Sequence, residues 1–180
     1  MSERVVVAGF GGQGVMLIGQ ILAYAGMKEG KEVSWLPSYG PEMRGGTANC
    51  NVIISEELVG SPIVTEASSV VVMNLPSFLK FEPIVEKEGF LIVNSSMINE
   101  TSQRDDIRTY YIPANDMAQA LGNPKVANMI LLGAYIELTK IVGLTFVHKA
   151  LEKVFAGEKE KYIPINHLAL EKGINYIKEQ

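Results

Sequence analysis

Three glycines at the spacing G-x-G-x-x-G (Gly9, Gly11 and Gly14), with Gly12 as a fourth, follow the apolar run Val5-Val6-Val7-Ala8. An apolar-periodic segment starts directly behind them. Glycine removes the Cβ, permits positive φ and lets a ligand's phosphates approach the backbone. A helix beginning there offers unpaired N–H groups and the positive end of its dipole to an anion. The stretch reads either as a phosphate cradle or as a tight strand-to-helix turn that brings helix and sheet close together, and spacing does not separate the two. Gln13 adds a polar side chain at the helix start, aimed at a ligand or capping the turn. A dinucleotide site also needs an acid at the end of the second strand to hold the ribose hydroxyls. That strand ends at Leu36-Pro37-Ser38, whereas Glu29 and Glu32 lie before it or at its start. The pattern argues against an NAD site.

A second segment, Pro37-Ser38-Tyr39-Gly40-Pro41-Glu42-Met43-Arg44-Gly45-Gly46-Thr47, holds two prolines and three glycines, which excludes a regular element over it. It presents Ser38, Tyr39, Glu42, Arg44 and Thr47 at the carboxyl end of the second strand. In open α/β sheets that edge also holds the first glycine turn, so the two segments are expected to be neighbours. Arg44 suits bidentate recognition of a carboxylate or phosphate. Pairing with Glu42 or with another chain's carboxylate is the alternative. Cys50 alternates with Val52 and Ile54 in a strand and reads as a small buried hydrophobe rather than a nucleophile. His148 and His167 sit on the C-terminal helices without a neighbouring acid or nucleophile and read as surface or boundary residues. No His, Cys and Asp grouping has metal-ligand spacing. Asn94-Ser95-Ser96, at another strand's carboxyl end, either reaches the same crevice or forms a turn. Lys125 and Asn128 open a strongly apolar helix and are expected to face the crevice.

The elements that must position these residues follow from periodicity. Strands are expected at 4–8, 31–36, 48–55, 69–73, 89–93 and 109–112. Helices are expected from Gln13 to the Gly30 region and at 77–85, 115–121, 126–141, 144–156 and 167–177. The helix at 126–141 is apolar on more than one face, so it is either central or buried against a partner. Strands and helices alternate early and the last third is helical. This predicts an α/β fold, a three-layer α/β/α sandwich with a Rossmann-like, mostly parallel sheet, as one domain over 1–180. The chain has 180 residues, 47% hydrophobic and 20% charged, which suits a globular core. A net charge of −4 offers no basic field to nucleic acid or a membrane surface. No apolar run approaches the ~20 residues of a membrane span, and residues 1–9 lack a signal-type apolar region, so a cytoplasmic location is expected. The single cysteine excludes an intrachain disulfide and an iron–sulfur cluster held by this chain's own thiolates.

Taken together, Gly9-Phe10-Gly11-Gly12-Gln13-Gly14 and Ser38-Tyr39-Gly40-Pro41-Glu42-Met43-Arg44-Gly45-Gly46-Thr47-Ala48-Asn49-Cys50 resemble the gamma subunit of 2-oxoacid:ferredoxin oxidoreductases. The likeness extends over essentially the whole chain, and the Arg44–Asn49 ending is closer to 2-oxoglutarate-type than to pyruvate-type gamma subunits. The resemblance implies a multi-subunit enzyme that decarboxylates a 2-oxoacid on thiamine diphosphate, passes electrons through iron–sulfur clusters to ferredoxin and releases an acyl-CoA. It assigns thiamine diphosphate and Mg²⁺ to alpha and beta chains, clusters to beta and ferredoxin-like delta chains, and coenzyme A handling to the gamma domain. The chain has no G-D-G-like segment of its own for thiamine diphosphate. On this reading the ligand-contact set is Gly11, Gly12, Gln13, Gly14, Ser38, Tyr39, Gly40, Pro41, Arg44, Gly45 and Gly46, with no catalytic or metal-binding residue. The isolated chain would be inactive, and it could pair with itself about a two-fold axis when its partners are absent. The alternative is a stand-alone Rossmann-like nucleotide-binding module without catalysis.

Overall fold

The computed structural model describes residues 2–39 and 47–180. Its strands are β1 (Ser2–Phe10), β2 (Glu32–Tyr39), β3 (Thr47–Ser55), β4 (Ala67–Val72), β5 (Val85–Asn94) and β6 (Arg108–Ile112). Its helices are α1 (Val15–Lys28), α2 (Leu75–Phe81), α3 (Ala114–Ala120), α4 (Ala127–Thr139), α5 (Leu144–Val154) and α6 (Ile163–Lys178). Short 3₁₀ turns cover Glu82–Ile84, Pro124–Val126 and Gly157–Tyr162.

The strands form one sheet in the order β2-β3-β1-β4-β5-β6. β1, β4, β5 and β6 are parallel, as expected, and β3 runs against β1 and β2. The seven residues between β2 and β3 are too few for a parallel crossover, which takes a dozen or more, so this pair closes as a hairpin. The double reversal points β2 the same way as β1. The pairings Tyr39↔Ala48 and Phe10↔Thr47 then bring the carboxyl ends of β2 and β1 to one edge.

β1 is central, and Val5, Val6, Val7 and Ala8 are all fully buried, which explains the unbroken apolar run. Alternation sends Val5 and Val7 into one core and Val6 into another. The first core is thick. α1 packs on β1, β2 and β3, α5 packs on α1, and α6 and α3 pack on α4. The second is covered by α2 and by loops carrying Val64, Ile98 and Ile107. α4 is buried continuously from Ala127 to Ile136, so the helix with no clear polar face is central within this chain. Gly133 and Gly173 let α4 and α6 touch backbone to backbone. A Cβ on either would stand 1.9–2.0 Å from a carbonyl oxygen of the other helix.

Several boundaries differ from the sequence expectation. Pro37, Ser38 and Tyr39 continue β2, and Thr47 begins β3, where an irregular loop was expected. β2 is an edge strand, and a proline's missing N–H is tolerated where one side has no neighbour. α6 starts at Ile163 rather than at His167, with Pro164 in its first turn, where proline loses no helical hydrogen bond. Asn115, in the first turn of α3, accepts from Asn94 Nδ2 at 2.7 Å.

At the opposite edge from the glycine turn, the buried carboxylate of Glu3 accepts the hydroxyls of Ser69 and Tyr135, the latter at 3.2 Å. Buried charge is tolerable when such donors meet it. Burial, then Glu3, pushes the Tyr135 hydroxyl well above its usual pKa and keeps it a donor. Among the described residues no helix is long and apolar enough to cross a membrane.

The helix crossing yields a direct expectation. Gly173→Ala should cost about 2 kcal/mol or more by overpacking, lowering the unfolding midpoint by roughly 4–8 °C. Gly60→Ala, where a Cβ meets nothing within 4 Å, should stay within about 0.5 kcal/mol of the parent. Thermal melts of the two variants check the contrast.

Candidate functional site

The glycine turn leaves β1 at Phe10 and enters α1 through Gly14, whose φ of 80° is the left-handed conformation that L side chains rarely adopt. Gly14 also lies against Asn128 of α4. A Cβ there would stand 2.1 Å from Asn128 Nδ2, which donates to the Gly14 carbonyl at 3.3 Å. Gly9 is needed for close approach, because a Cβ would stand 2.7 Å from Gln13 Oε1 and 3.0 Å from Met73 and Val15. Among the described residues no side chain caps α1, and its first intrahelical bond runs from Ile18 N–H to Gly14 C=O at 3.2 Å. The N–H groups of Val15, Met16 and Leu17 precede that bond and form the free positive end of the helix.

Gln13 is turned into the protein. Its Oε1 accepts Phe10 N–H at 2.6 Å, and its Nε2 donates to Met73 C=O at 3.3 Å. Asn74 Nδ2 approaches Gln13 Oε1 at 3.4 Å, while Asn74 Oδ1 caps α2 by accepting Ser77 N–H at 2.9 Å. The side chain that suggested ligand contact thus ties the end of β1 to the end of β4.

Two cavities flank the turn and share Gly12, Gly14 and Leu17 as a common wall. The larger, about 310 Å³, is closed by Asn123, Lys125, Val126 and Asn128 before and within α4, and by Phe155, Tyr162 and Asn166 around the α5–α6 connection. The smaller, about 270 Å³, lies toward the β2–β3 hairpin and is lined by Phe10, Gly11, Met16, Tyr39 and Ala48. Backbone donors, a helix start, one exposed lysine, three side-chain amides and four aromatic rings therefore surround a continuous wall. This combination suits an extended ligand with anionic and planar parts.

The structure brings Gly11, Gly12, Gly14 and Tyr39 together, and it places Lys125 and Asn128 on the crevice as expected. Ser38 is adjacent to Tyr39 in a strand, so it projects from the opposite face and lines neither cavity. Gly40, Pro41, Arg44, Gly45 and Gly46 lie outside the described residues. Asn94 and Ser96 do not reach the crevice: Asn94 bonds Asn115, and Ser96 Oγ donates to Asp116 at 3.0 Å. Phe155, Tyr162 and Asn166 escaped the sequence reading. They lie more than 140 residues beyond the glycine turn, and the aromatic pair flanking a charged stretch was their only local signal.

Among the described residues no group of three His, Cys, Asp or Glu side chains could hold a metal ion. Cys50 is fully buried, its thiol facing Val15 C=O at 3.7 Å, and desolvation pushes its pKa up to about 11. His148 and His167 stack with centroids 4.4 Å apart and planes within 6°. Burial, then the charge of His167, pushes His148 below its usual pKa, against opposing pulls from Glu171 and Glu152.

Two measurements follow. Cys50 should resist a thiol reagent at pH 8 in the native chain, where its thiolate is scarce and inaccessible, and react fully after unfolding. His148 has a lower pKa folded than unfolded, so protonation favours the unfolded state. Its contribution is complete above the ordinary value of 6.5 and is lost as the pH falls below it. His148→Gln should therefore flatten the fall of the unfolding midpoint between about pH 7 and 5. An unchanged slope would contradict the assignment.

Residues 4–176 match the family model described as pyruvate ferredoxin/flavodoxin oxidoreductase. The ketoisovalerate oxidoreductase subunit VorA of Methanothermobacter thermautotrophicus is 39% identical over 181 residues, covering 98% of this chain and 36% of that protein. This chain thus spans about a third of that relative's length. The 2-oxoglutarate synthase subunit KorC of Methanocaldococcus jannaschii is 34% identical over 183 residues, covering 99% of this chain and 96% of the relative. The crystal structure of a keto/oxoacid ferredoxin oxidoreductase gamma subunit from Geobacter sulfurreducens superposes with a TM-score of 0.84 at 27% identity, covering 99% of both chains. With the family model covering nearly the whole length and KorC aligned end to end, this chain belongs to the pyruvate ferredoxin/flavodoxin oxidoreductase family.

Proposed function

We propose that this chain is the gamma subunit of a multi-subunit 2-oxoacid:ferredoxin oxidoreductase, cytoplasmic, in which alpha, beta and ferredoxin-like delta chains carry out the decarboxylation and electron transfer. The products are an acyl-CoA and reduced ferredoxin. The observation that carries this chain's role is the wall of Gly12, Gly14 and Leu17 between two cavities, at the free start of α1. Coenzyme A matches that wall in chemistry. Its phosphates suit the α1 N–H groups and Lys125, its adenosine suits the pocket of Phe155, Tyr162 and the asparagines, and its thiol-bearing arm would leave past Tyr39 toward the partner chains. The proposed contacts from the segment outside the described residues are Gly40, Pro41, Arg44, Gly45 and Gly46.

Within this role the chain binds and orients the acyl acceptor and keeps its anionic end in place. Thiamine diphosphate with Mg²⁺ and the iron–sulfur clusters are assigned to partner subunits. A single buried cysteine does not supply the thiolates that a cluster takes. For the substrate we favour 2-oxoglutarate, on the Arg44–Asn49 ending and the end-to-end match with KorC. The higher identity to VorA supports ketoisovalerate as the second reading. A stand-alone dinucleotide module is disfavoured by the end of β2, which offers Ser38 and Tyr39 where an acid is needed.

A tagged chain recovered from its native host should bring down the alpha, beta and delta chains. Recovery as a lone monomer with tight NAD(P) or AMP binding would overturn the assignment. In the purified complex, Lys125→Glu and Arg44→Ala should each raise the KM for coenzyme A about tenfold, as for a lost charge-assisted contact, with much less effect on 2-oxoacid decarboxylation. Unchanged KM for a variant removes that residue from the ligand site. The kcat/KM values for 2-oxoglutarate and for ketoisovalerate decide between the two acids.

A further inference from the structure

The one polar side chain of the glycine turn does not face the crevice. Gln13 sits at the middle of the glycine turn, yet its amide is spent on three protein groups: Phe10 N–H, Met73 C=O and Asn74 Nδ2. β1 and β4 are parallel neighbours with Ala8 opposite Val72, so Phe10 and Met73 lie at adjacent strand ends, and Gln13 bridges them. Asn74 is itself 2% exposed and committed to α2. From the other side, the buried Asn128 donates to Gly14 C=O.

The direction of these bonds matters more than their number. The Phe10 carbonyl accepts Gln13 N–H at 3.1 Å, and the Gly14 carbonyl accepts both Ile18 N–H and Asn128 Nδ2. These two carbonyls are therefore engaged by protein donors, the Phe10 one by the Gln13 backbone and the Gly14 one by α1 and Asn128. A peptide rotated the other way would offer C=O to an anion and repel it. The orientation of these peptides decides the sign of charge that the turn presents.

We propose that Gln13 is a positioning residue. Backed by Asn74 and Asn128, its amide locks the glycine turn in the orientation that presents N–H groups to an anionic ligand. This rests on the reading of the turn as the phosphate-binding wall. Glutamine is suited to the task because the position needs an acceptor for Phe10 N–H and Asn74, and a donor for Met73 C=O, on one side chain. Glutamate supplies the donor only when protonated, and a carboxylate held against a carbonyl has a raised pKa. Leucine supplies neither.

The test uses the full chain with coenzyme A and with 3′,5′-ADP as probes, binding being measured by calorimetry at pH 7.5 and pH 5. Each variant is compared with the parent at the same pH, so titration of the ligand's own phosphates cancels. Gln13→Leu should bind about tenfold more weakly at both pH values, as for loss of a buried hydrogen-bonding group. Gln13→Glu should be weakened at least as much at pH 7.5 and recover to within about threefold of the parent at pH 5. A side chain that only stabilises the fold would lower the unfolding midpoint without that pH-dependent recovery. The neutral leucine variant separates loss of positioning from simple repulsion by a carboxylate. Parent-like binding by both variants, with a parent that does bind, overturns the positioning role alone. A parent that binds neither probe overturns the phosphate-wall reading and this inference with it. Should Gln13→Leu fail to fold, Gln13→Glu carries the test, since its own low-pH state is the rescue.

Discussion

The contact between Gly14 and Asn128 joins the first helix to the fourth and sets where the crevice can form. Only a residue without a Cβ leaves room for the Asn128 amide, and only a left-handed residue turns the chain from β1 into α1 at that point. The hydrogen bond to Gly14 C=O then fixes the start of α1 beside the start of α4. The part of the larger cavity's lining carried by α4 and α6 hangs from this junction. Lys125 precedes α4, while α6, which brings Asn166, is packed on α4 through the two close glycines. A side chain at Gly14 would separate the two helix starts and spread the wall.

The sheet supplies the other half of the arrangement. Because β2 and β3 close as a hairpin, β3 is inserted beside β1 and the Tyr39–Thr47 end of the hairpin falls next to the glycine turn. Tyr39 is carried there by an edge strand, not by an irregular loop, and its orientation is decided by the pleat. The same alternation removes Ser38, its neighbour in sequence, to the other face. The core is unequal, with a thick helical layer on the side of Val5 and Val7 and a thin cover on the side of Val6. Both cavities border α1, within the thick layer. The packing of α1, α4 and α6 on one another holds their walls without help from the thin side.

How much of this was legible depends on the range of the interaction responsible. The Val5–Ala8 run, the glycine turn and the apolar helix near 127–139 were legible because each is a local pattern with one dominant cause. The sheet edge shared by the two glycine segments was also legible, since open α/β sheets gather the carboxyl ends of their strands at one edge. The role of Gln13 was not, because its partners Met73 and Asn74 lie some sixty residues away and an amide beside glycines looks the same whichever way it turns. For Tyr162 and Phe155 the aromatic pair flanking a charged stretch was too weak a signal, since nothing near them in sequence distinguishes a cavity wall from ordinary amphipathic packing.

The sequence by itself determined the kind of backbone at each point: a buried strand, a turn only glycine can make, a helix start left uncapped, and a family pattern across two glycine segments. These are set by local sterics and by which groups a residue can leave unpaired. Tertiary structure alone decided which side chains face the crevice. That choice is made by contacts between residues 60 to 114 positions apart, where Asn128 meets Gly14 and Gln13 is drawn to Met73 and Asn74. Burial of those amides requires partners, and the only partners within reach lie on other elements of the fold.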